Sequence, residues 1–289
     1  MADTLPAAIQ DPNNCQKSPL PGIGYSYGYQ PSLAAGITFC ALFGIAFFGH
    51  LLQLIRLRRW TSALLAIGAL TELIGWSGRT WSAECPYNRN AFFMQITTLI
   101  IGPVFFTGAL YMLLGAFINS LGRQYSLMSP RMYNIIFMTC DLISLVVQAV
   151  GGALAASANT DDDMKLGTNI MVAGVFFQLA AMIVFTLLTM DFLRKSSKFG
   201  IPQEYNKIIM ALVISLLAIF ARNIFRTVEL LEGWRGYLIT HEVYFIALDG
   251  ALMVLAVGIF LPFDPARTIP KAYQVAKEPG ELSEFSAGV

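Results

Sequence analysis

The chain has few charged residues and almost no histidine. Asp, Glu, Lys and Arg make up 13% of its 289 residues, and there are two histidines and four cysteines. A soluble domain carries about 25% charged residues, scattered over its surface, whereas the charges here fall in short clusters between long apolar stretches. The net charge of +1 gives no sign of nucleic acid as a partner. The composition therefore excludes an ordinary soluble domain.

The sequence also lacks the motifs of signal peptides, nucleotide sites and metal centres. Residues 1–30 are polar and have no basic start or apolar core typical of a cleaved signal peptide, so the first span should act as its own insertion signal. No Gly-rich loop followed by Lys occurs, and the loops are short. His50 and His241 lie at opposite ends of predicted spans, too far apart to share a metal. We expect no cofactor, no metal and no direct use of ATP.

What the sequence does contain is apolar residues, which make up 56% of the chain. A hydrocarbon core of about 30 Å is crossed by about 20 apolar residues in a helix, and seven stretches are long enough. They run from Leu33 to Ile55, Thr61 to Trp81, Phe92 to Asn119, Tyr133 to Ser157, Asn169 to Leu193, Lys207 to Val228 and Glu242 to Leu261. We therefore predict an all-α polytopic membrane protein, a bundle of seven transmembrane helices within residues 32–262.

The distribution of Lys and Arg between the short loops predicts the orientation, because basic residues are retained on the cytoplasmic side during insertion. One side carries Arg56, Arg58, Arg59, Arg123, Arg131, Arg194, Lys195, Lys198, Lys207 and the basic residues of the tail. The other side has only Lys17, Arg89, Lys165 and Arg235, beside an acidic run at residues 161–163. We predict an extracellular segment over residues 1–31, a disordered cytoplasmic tail over 263–289, and residence in the plasma membrane.

The four cysteines divide under this topology into two pairs. Cys40 and Cys140 lie within spans, whereas Cys15 and Cys85 both fall on the extracellular side. Disulfides form in oxidising surroundings, and closing a loop of this length typically stabilises a protein by roughly 2 to 4 kcal/mol. We predict a disulfide between Cys15 and Cys85, the alternative being two unpaired thiols.

Several spans carry ionisable side chains that hydrocarbon does not tolerate without a partner or a water-filled cavity, since each costs at least ~2.5 kcal/mol at the bilayer centre. Seven residues separate Glu72 from Arg79 in span two and Glu242 from Asp249 in span seven. In span six, Arg222, Arg226 and Glu229 follow one another at spacings of four and three. Each set therefore shares one helical face. These residues and nearby polar ones form the candidate substrate site: Glu72, Arg79, Gln95, Gln148, Arg222, Arg226, Glu229, Glu242, Tyr244 and Asp249.

Two interpretations of these residues are open. A rise of 1.5 Å per residue places Glu72, Gln148 and Asp249 deep and most of the others in the outer half. One interpretation is a polar chamber that opens outward, floored by carboxylates and lined by three arginines. The other is a buried ion-pair network that fixes helix packing and binds no ligand, because paired charges also serve structural roles.

Two further features concern the helices themselves. Pro103 lies inside span three, where it removes a backbone hydrogen bond and should kink the helix. Glycines such as Gly102, Gly151 and Gly152 permit close approach of neighbouring helix backbones. Packing is the expected role of these glycines.

The polar residues together form a pattern that resembles the fungal RTA-like family of seven-span lipid-translocating exporters. The matching segments are residues 29–32, 72–79, Pro103 with Ala109 and Tyr111, Asp141 with Gln148, Gly151 and Gly152, Gly174 with Gln178, Arg222 to Glu229, and Glu242 with Tyr244 and Asp249. They cover about residues 29 to 262. Where family members often end the last span in His-Pro-Gly, this chain has Leu261-Pro-Phe-Asp-Pro265, a departure outside the core pattern.

The resemblance implies export or translocation of sphingoid long-chain bases and resistance to toxic amphiphiles, with porphyrin uptake in some relatives. We therefore expect a lipid or amphipathic small molecule as the partner. A sphingoid base is a cationic amine on an apolar tail, which carboxylates such as Glu229 and Glu242 would suit, whereas the arginines would suit a phosphate or carboxylate. The sequence therefore leaves the charge of the substrate headgroup open. It also leaves open three other functions: a seven-span lipid or stress receptor, a porphyrin-binding protein, and an intramembrane hydrolase using Glu72 and Asp249.

Overall fold

The fold is known from a computed structural model, which describes Cys15, Tyr25 and residues 27–158, 160–198, 202–233 and 236–264. All regular structure in these residues is helical. The all-α class is therefore confirmed for the described chain. Most of the predicted extracellular segment and of the predicted cytoplasmic tail lies outside the described residues.

Six long helices are followed by a set of short ones. The long helices are α1 (Leu33–Leu57), α2 (Trp60–Glu84), α3 (Arg89–Leu121), α4 (Pro130–Ser157), α5 (Asp161–Ser197) and α6 (Gln203–Glu232), with a 3₁₀ turn at Arg123–Tyr125 after α3. Then come α7 (Tyr237–Thr240), α8 (Glu242–Phe245), a π-helical turn (Ile246–Ala251) and α9 (Leu252–Gly258). We refer to residues 242–258, from α8 to α9, as the split helix.

Four of the long helices begin after a short polar residue whose side chain caps the first turn. Ser32, Asn88, Ser129 and Thr160 each accept a hydrogen bond from a backbone N–H in the first turn of the helix that follows. Such caps satisfy donors that have no partner within the helix. In α4 a proline occupies the first position, where its missing N–H costs nothing.

Among the described residues, five helices are long and apolar enough to cross a membrane: α1, α3, α4, most of α5 and most of α6. The chain is an integral membrane protein. Helix α2 has 25 residues, about 37 Å at 1.5 Å per residue, but its polar residues lower its mean hydropathy. The split helix is divided into short pieces by the π-helical turn. The seven-span count and the direction of the termini stay predictions.

The helices pack in chain order into a closed bundle. Each long helix contacts the next, and the split helix closes the ring by contacting both α6 and α1. Helix α3 also reaches α6 and α9, and most of its residues from Gly102 to Ile118 are buried. Large apolar side chains such as Ile45, Ile135 and Leu187 point outward and are more than 60% exposed, as expected of a surface that faces lipid.

The disulfide between Cys15 and Cys85 is present, with the two Cα atoms 4.7 Å apart. It fastens the N-terminal segment to the connection between α2 and α3. Tyr25 and Tyr87 support it with ring centroids 5.2 Å apart. The predicted pairing is therefore confirmed, and the remaining cysteines, Cys40 and Cys140, are free.

Helices α4 and α5 approach each other most closely at two glycines. A Cβ added at Gly151 would lie 2.4 Å from the backbone nitrogen of Met171, and one at Gly167 would lie 2.4 Å from that of Ala155. These neighbours are backbone atoms, which cannot rotate away as a side chain can. Small residues at such contacts allow helices to pack closely in lipid.

We expect Gly151→Ala to destabilise the folded protein by about 1 to 3 kcal/mol, because the added methyl group overpacks the contact with α5. Gly152→Ala is the matched control, since its nearest new neighbour would be the Met171 sulfur at 3.8 Å, while the gain in helix propensity is the same. Thermal unfolding of the two variants in detergent measures the difference. Equal midpoints would contradict this account of the helix contact.

Candidate functional site

Seven ionisable side chains from α2, α6 and the split helix come together inside the bundle. They are Glu72, Arg79, Arg222, Arg226, Glu229, Glu242 and Asp249, which we call the charged cluster. The spacings of seven, four and three residues bring them to inner faces of their helices. The structure thus shows the convergence that the sequence predicts, while their role in binding a substrate stays a prediction.

At the end of the cluster nearest the N-terminal segment, Arg79 binds Glu242. One guanidinium nitrogen lies 2.8 Å from Oε1 of Glu242 and donates a second hydrogen bond of 2.6 Å to the Tyr29 hydroxyl. The two Glu242 oxygens also accept from the backbone N–H of Ser32, at 2.9 and 3.1 Å. The Arg79 side chain is only 1% exposed and that of Glu242 17%. This pair joins α2, the split helix and the start of α1.

Aromatic rings surround the Arg79 guanidinium. Its central carbon lies 4.4 Å from the centroid of the Phe245 ring and between 5.4 and 5.8 Å from the rings of Tyr27, Tyr29 and Trp76. Cation–π contacts of this kind stabilise a desolvated arginine by about 2 kcal/mol. Sequence reasoning did not assign Tyr27 to the site. Its position only five residues before the Ser32 cap is the signal that could have suggested it.

Two further ion pairs involve arginines of α6. Arg226 contacts Glu229 at 2.6 Å within the same helix. Nε of Arg222 lies 2.9 Å from Oδ1 of Asp249, which belongs to the π-helical turn. Those two atoms are close but not aligned for a hydrogen bond. Turns of this type within helices are frequent at functional sites.

Arg222 is held by a carbonyl group that a proline leaves free. Pro103 has no N–H, so the carbonyl of Leu99, four residues earlier, cannot make its usual helical hydrogen bond. A guanidinium nitrogen of Arg222 donates to this carbonyl at 2.6 Å. Helix α3 is continuous through Pro103. The proline therefore supplies an acceptor for a charged side chain as well as interrupting the hydrogen bonding of its own helix.

Glu72 is the carboxylate without a direct partner. It is fully buried, and within the described residues neither of its oxygens accepts or donates a hydrogen bond. It interacts electrostatically with Arg222, Arg226 and Asp249, so it belongs to the cluster. A Cβ added at Gly102 of α3 would meet its Oε1 at 2.8 Å, which shows how closely α3 covers it.

A cavity of about 50 Å³ lies beside Arg79 and the Arg226–Glu229 pair. Its polar lining residues are Tyr27, Tyr29, Arg79, Gln95, Arg226 and Glu229, and its apolar ones are Phe92, Ile96, Ile100, Met171, Leu230, Ile239 and Phe245. Since one water molecule needs about 10 to 15 Å³ of such volume, the cavity has room for roughly three to five. Its lining combines charged and apolar side chains, as a headgroup and a tail would require.

Gln95 reaches this cavity from α3 and is tied to the N-terminal segment. The Tyr27 hydroxyl donates a hydrogen bond of 2.6 Å to its side-chain oxygen and lies 3.2 Å from the hydroxyl of Ser82. Burial raises the pKa of Tyr27 to about 12, so this phenol is protonated at neutral pH and serves as a donor. The segment before α1 thereby forms part of the cavity wall.

Two of the predicted site residues lie elsewhere. Gln148 joins α4 to α5, donating to Ser144 at 2.7 Å and to Gln178 at 3.0 Å. Tyr244 is 36% exposed and stacks its ring near those of Tyr237 and His241, at 5.8 and 6.4 Å. Neither lines the cavity. Depth along a helix can be read from sequence, but the face that a single polar residue presents cannot.

Another buried carboxylate stands apart from the charged cluster. Oδ2 of Asp141 in α4 accepts hydrogen bonds from the hydroxyls of Thr107 and Tyr111 in α3, at 2.8 and 2.9 Å. All three residues are buried. This group joins α3 to α4.

Comparison with known proteins places the chain in a family. The sequence model of a family described as RTA1 like protein matches residues 65–272, which include the whole charged cluster. The chain belongs to the RTA1-like family. The resemblance drawn from the polar residues is therefore confirmed. No solved structure matches this RTA1-like chain.

Three proteins of Saccharomyces cerevisiae are similar to this chain. The sphingoid long-chain base transporter RSB1 of strain S288c is 33% identical over 280 residues, which cover 82% of this chain and 72% of the relative. Protein RTA1 is 26% identical over 290 residues, or 90% of each chain. Protoporphyrin uptake protein 1 is 27% identical over 222 residues, 75% of this chain and 71% of the relative.

We expect Glu242→Gln to destabilise this RTA1-like protein by about 1 to 3 kcal/mol, because it leaves a buried guanidinium with a neutral partner while keeping the acceptor for Ser32. Asp162→Asn is the control. Its pair with Lys165 at 3.7 Å is exposed, and such pairs contribute about 0 to 1 kcal/mol. Unfolding midpoints in detergent give the comparison, and a Glu242→Gln midpoint as high as that of the control would rule out this role for the Arg79 pair.

Proposed function

We propose that this RTA1-like protein is a seven-span transporter of the plasma membrane, with its N-terminus outside and its C-terminus in the cytosol. Its substrate is a cationic amphiphile with a single tail, of the sphingoid-base class, and its transport contributes to resistance to toxic amphiphiles. A relative that is 33% identical is named as a transporter of sphingoid long-chain bases, which supports this choice of substrate.

The observation that carries the proposal is the mixed lining of the cavity. It contains Arg226 with Glu229, which are already paired, together with isoleucine, methionine and leucine side chains. An amine can replace the Arg226 guanidinium beside Glu229 if the displaced guanidinium finds another acid. The apolar lining residues suit the first methylene groups of a tail, since each buried CH₂ stabilises by about 0.8 kcal/mol.

The size of the cavity indicates how the substrate would move. Room for a few water molecules admits the tip of a headgroup and not a whole amphiphile. The tail must therefore enter from the side of the bundle, and the helices must separate for the headgroup to cross. The π-helical turn at Asp249 is the place in the split helix where its regular hydrogen bonding is already interrupted.

The proposed topology is supported by the chemistry of the helix ends. Helices α1 and α5 carry Arg56 and Arg194 with Lys195 in their last turns, on the side that the basic loops predict to be cytoplasmic. The disulfide between Cys15 and Cys85 lies at the opposite ends of these helices, where an oxidising exterior allows it to form.

We expect purified protein in liposomes to move a labelled sphingoid base between leaflets, and Glu229→Gln to slow this movement by about tenfold or more, because a charge-assisted contact is worth about 1.5 to 3 kcal/mol. Asp191→Asn, which removes a carboxylate from the partly exposed pair with Lys195, should leave the rate unchanged.

The same assay separates the rival functions. Binding of the labelled base without movement between leaflets would favour a receptor or sensor and contradict transport. Formation of a cleaved product that depends on Glu72 or Asp249 would show an intramembrane hydrolase instead. Equal rates for wild type and Glu229→Gln would show that this carboxylate has no role in transport.

A further inference from the structure

The charged cluster contains one more acid than base. Among the described residues it brings together four carboxyl groups and three guanidinium groups. Each arginine is matched with one acid: Arg79 with Glu242, Arg226 with Glu229, and Arg222 with Asp249. The pairing leaves Glu72 as the acid without a counterion of its own. An ion left unpaired in a low-dielectric interior is strongly unfavourable.

The surroundings of Glu72 decide what can neutralise it. Its side chain has no exposed surface, and a single added methyl group at Gly102 would already collide with it. A hard metal ion needs several oxygen ligands, and the described residues contain no group of three or more metal-type side chains. An ammonium group is also too large for this position. A proton is the cation that fits.

The charged groups that face Glu72 from the neighbouring helices are consistent with a proton bound there. Helix α6 presents Arg222 and Arg226, the π-helical turn presents Asp249, and α3 presents the backbone around Gly102. The nearby Asp249 disfavours a second negative charge. Both arginines favour one, but each already interacts with its own acid. A change in the partner of either arginine would therefore alter how tightly Glu72 holds a proton.

We infer that Glu72 is an exchangeable proton-binding site and that it releases its proton when a cationic headgroup enters the adjoining cavity. The inference rests on the proposed function. When an ammonium group takes Glu229, Arg226 loses its acid and becomes available to Glu72, so the carboxyl group ionises and one proton leaves. The cluster then keeps the same total charge with either cation bound. Proton and amine would exchange in a ratio of one to one.

Linkage gives this exchange a measurable signature. If binding releases one proton, raising the pH strengthens binding by up to about tenfold per pH unit, over the range in which the free protein holds the proton and the complex does not. A ligand with a fixed positive charge is the proper probe, because an ordinary amine could itself release the proton that is measured.

The experiment uses the full chain in detergent micelles and an N,N,N-trimethyl sphingoid base. Calorimetry in buffers of different ionisation enthalpy counts protons, and titrations between pH 5 and pH 8 give the pH dependence. For the wild type we expect release of close to one proton and affinity that rises with pH. For Glu72→Gln, which mimics the protonated acid in shape and charge, we expect no release, affinity at least tenfold weaker, and no pH dependence.

Two controls keep the result specific. Asp141→Asn removes another buried carboxyl group, one that contacts Thr107 and Tyr111 instead of the cluster, and it should release the proton as the wild type does. A neutral N-acylated base should bind without proton release. Unfolding midpoints of both variants show whether each is folded.

The outcomes separate failure of the proposed substrate from failure of the proton site. If the wild type binds neither the trimethyl base nor a plain sphingoid base, the proposed substrate is wrong, and the inference falls with it. If the wild type binds the base without releasing a proton, or Glu72→Gln releases as much as the wild type, the proton site is wrong while the transport proposal stands.

Discussion

Pairing of buried charges is the constraint on which the rest of this bundle depends. An ionised side chain inside a membrane protein is tolerated only beside an opposite charge or in water. Three arginines and four acids therefore fix how α2, α6 and the split helix approach one another, and the Arg79 pair also holds the start of α1 through Glu242 and Ser32. Apolar packing alone would leave the rotation of these helices about their axes poorly specified, because lipid and leucine are equally apolar.

The same constraint explains the two irregular places in the helices. Pro103 frees the Leu99 carbonyl, which then accepts from Arg222, and the π-helical turn places Asp249 opposite the same arginine. Each irregularity would weaken a helix on its own. Together they provide a buried guanidinium with an acceptor and a counterion, so the local loss is offset by satisfying a charge.

Much of this arrangement could be predicted from sequence because it depends on periodicity. Seven-residue spacing put Glu72 and Arg79 on one face, and the structure brings both into the cluster. Periodicity could not locate Gln148, whose partners across α5 are set by glycine contacts, nor Tyr244, which lies on the outer side of the split helix. It also could not reveal the role of Tyr27, because that depends on how residues 27–32 lie against α2 and α3.

The pairing of three of the four acids with an arginine has a consequence for the proposed transport. Unpaired buried charges would bind an ion so firmly that it could not leave, whereas charges that are already paired lose little when one partner is exchanged for another. The cavity beside Arg226 and Glu229 has room for only a few water molecules, so each incoming charge must replace an existing contact. Under the proposed function, such an exchange of partners would let the ligand bind weakly enough to be released on the far side, as a translocation path requires.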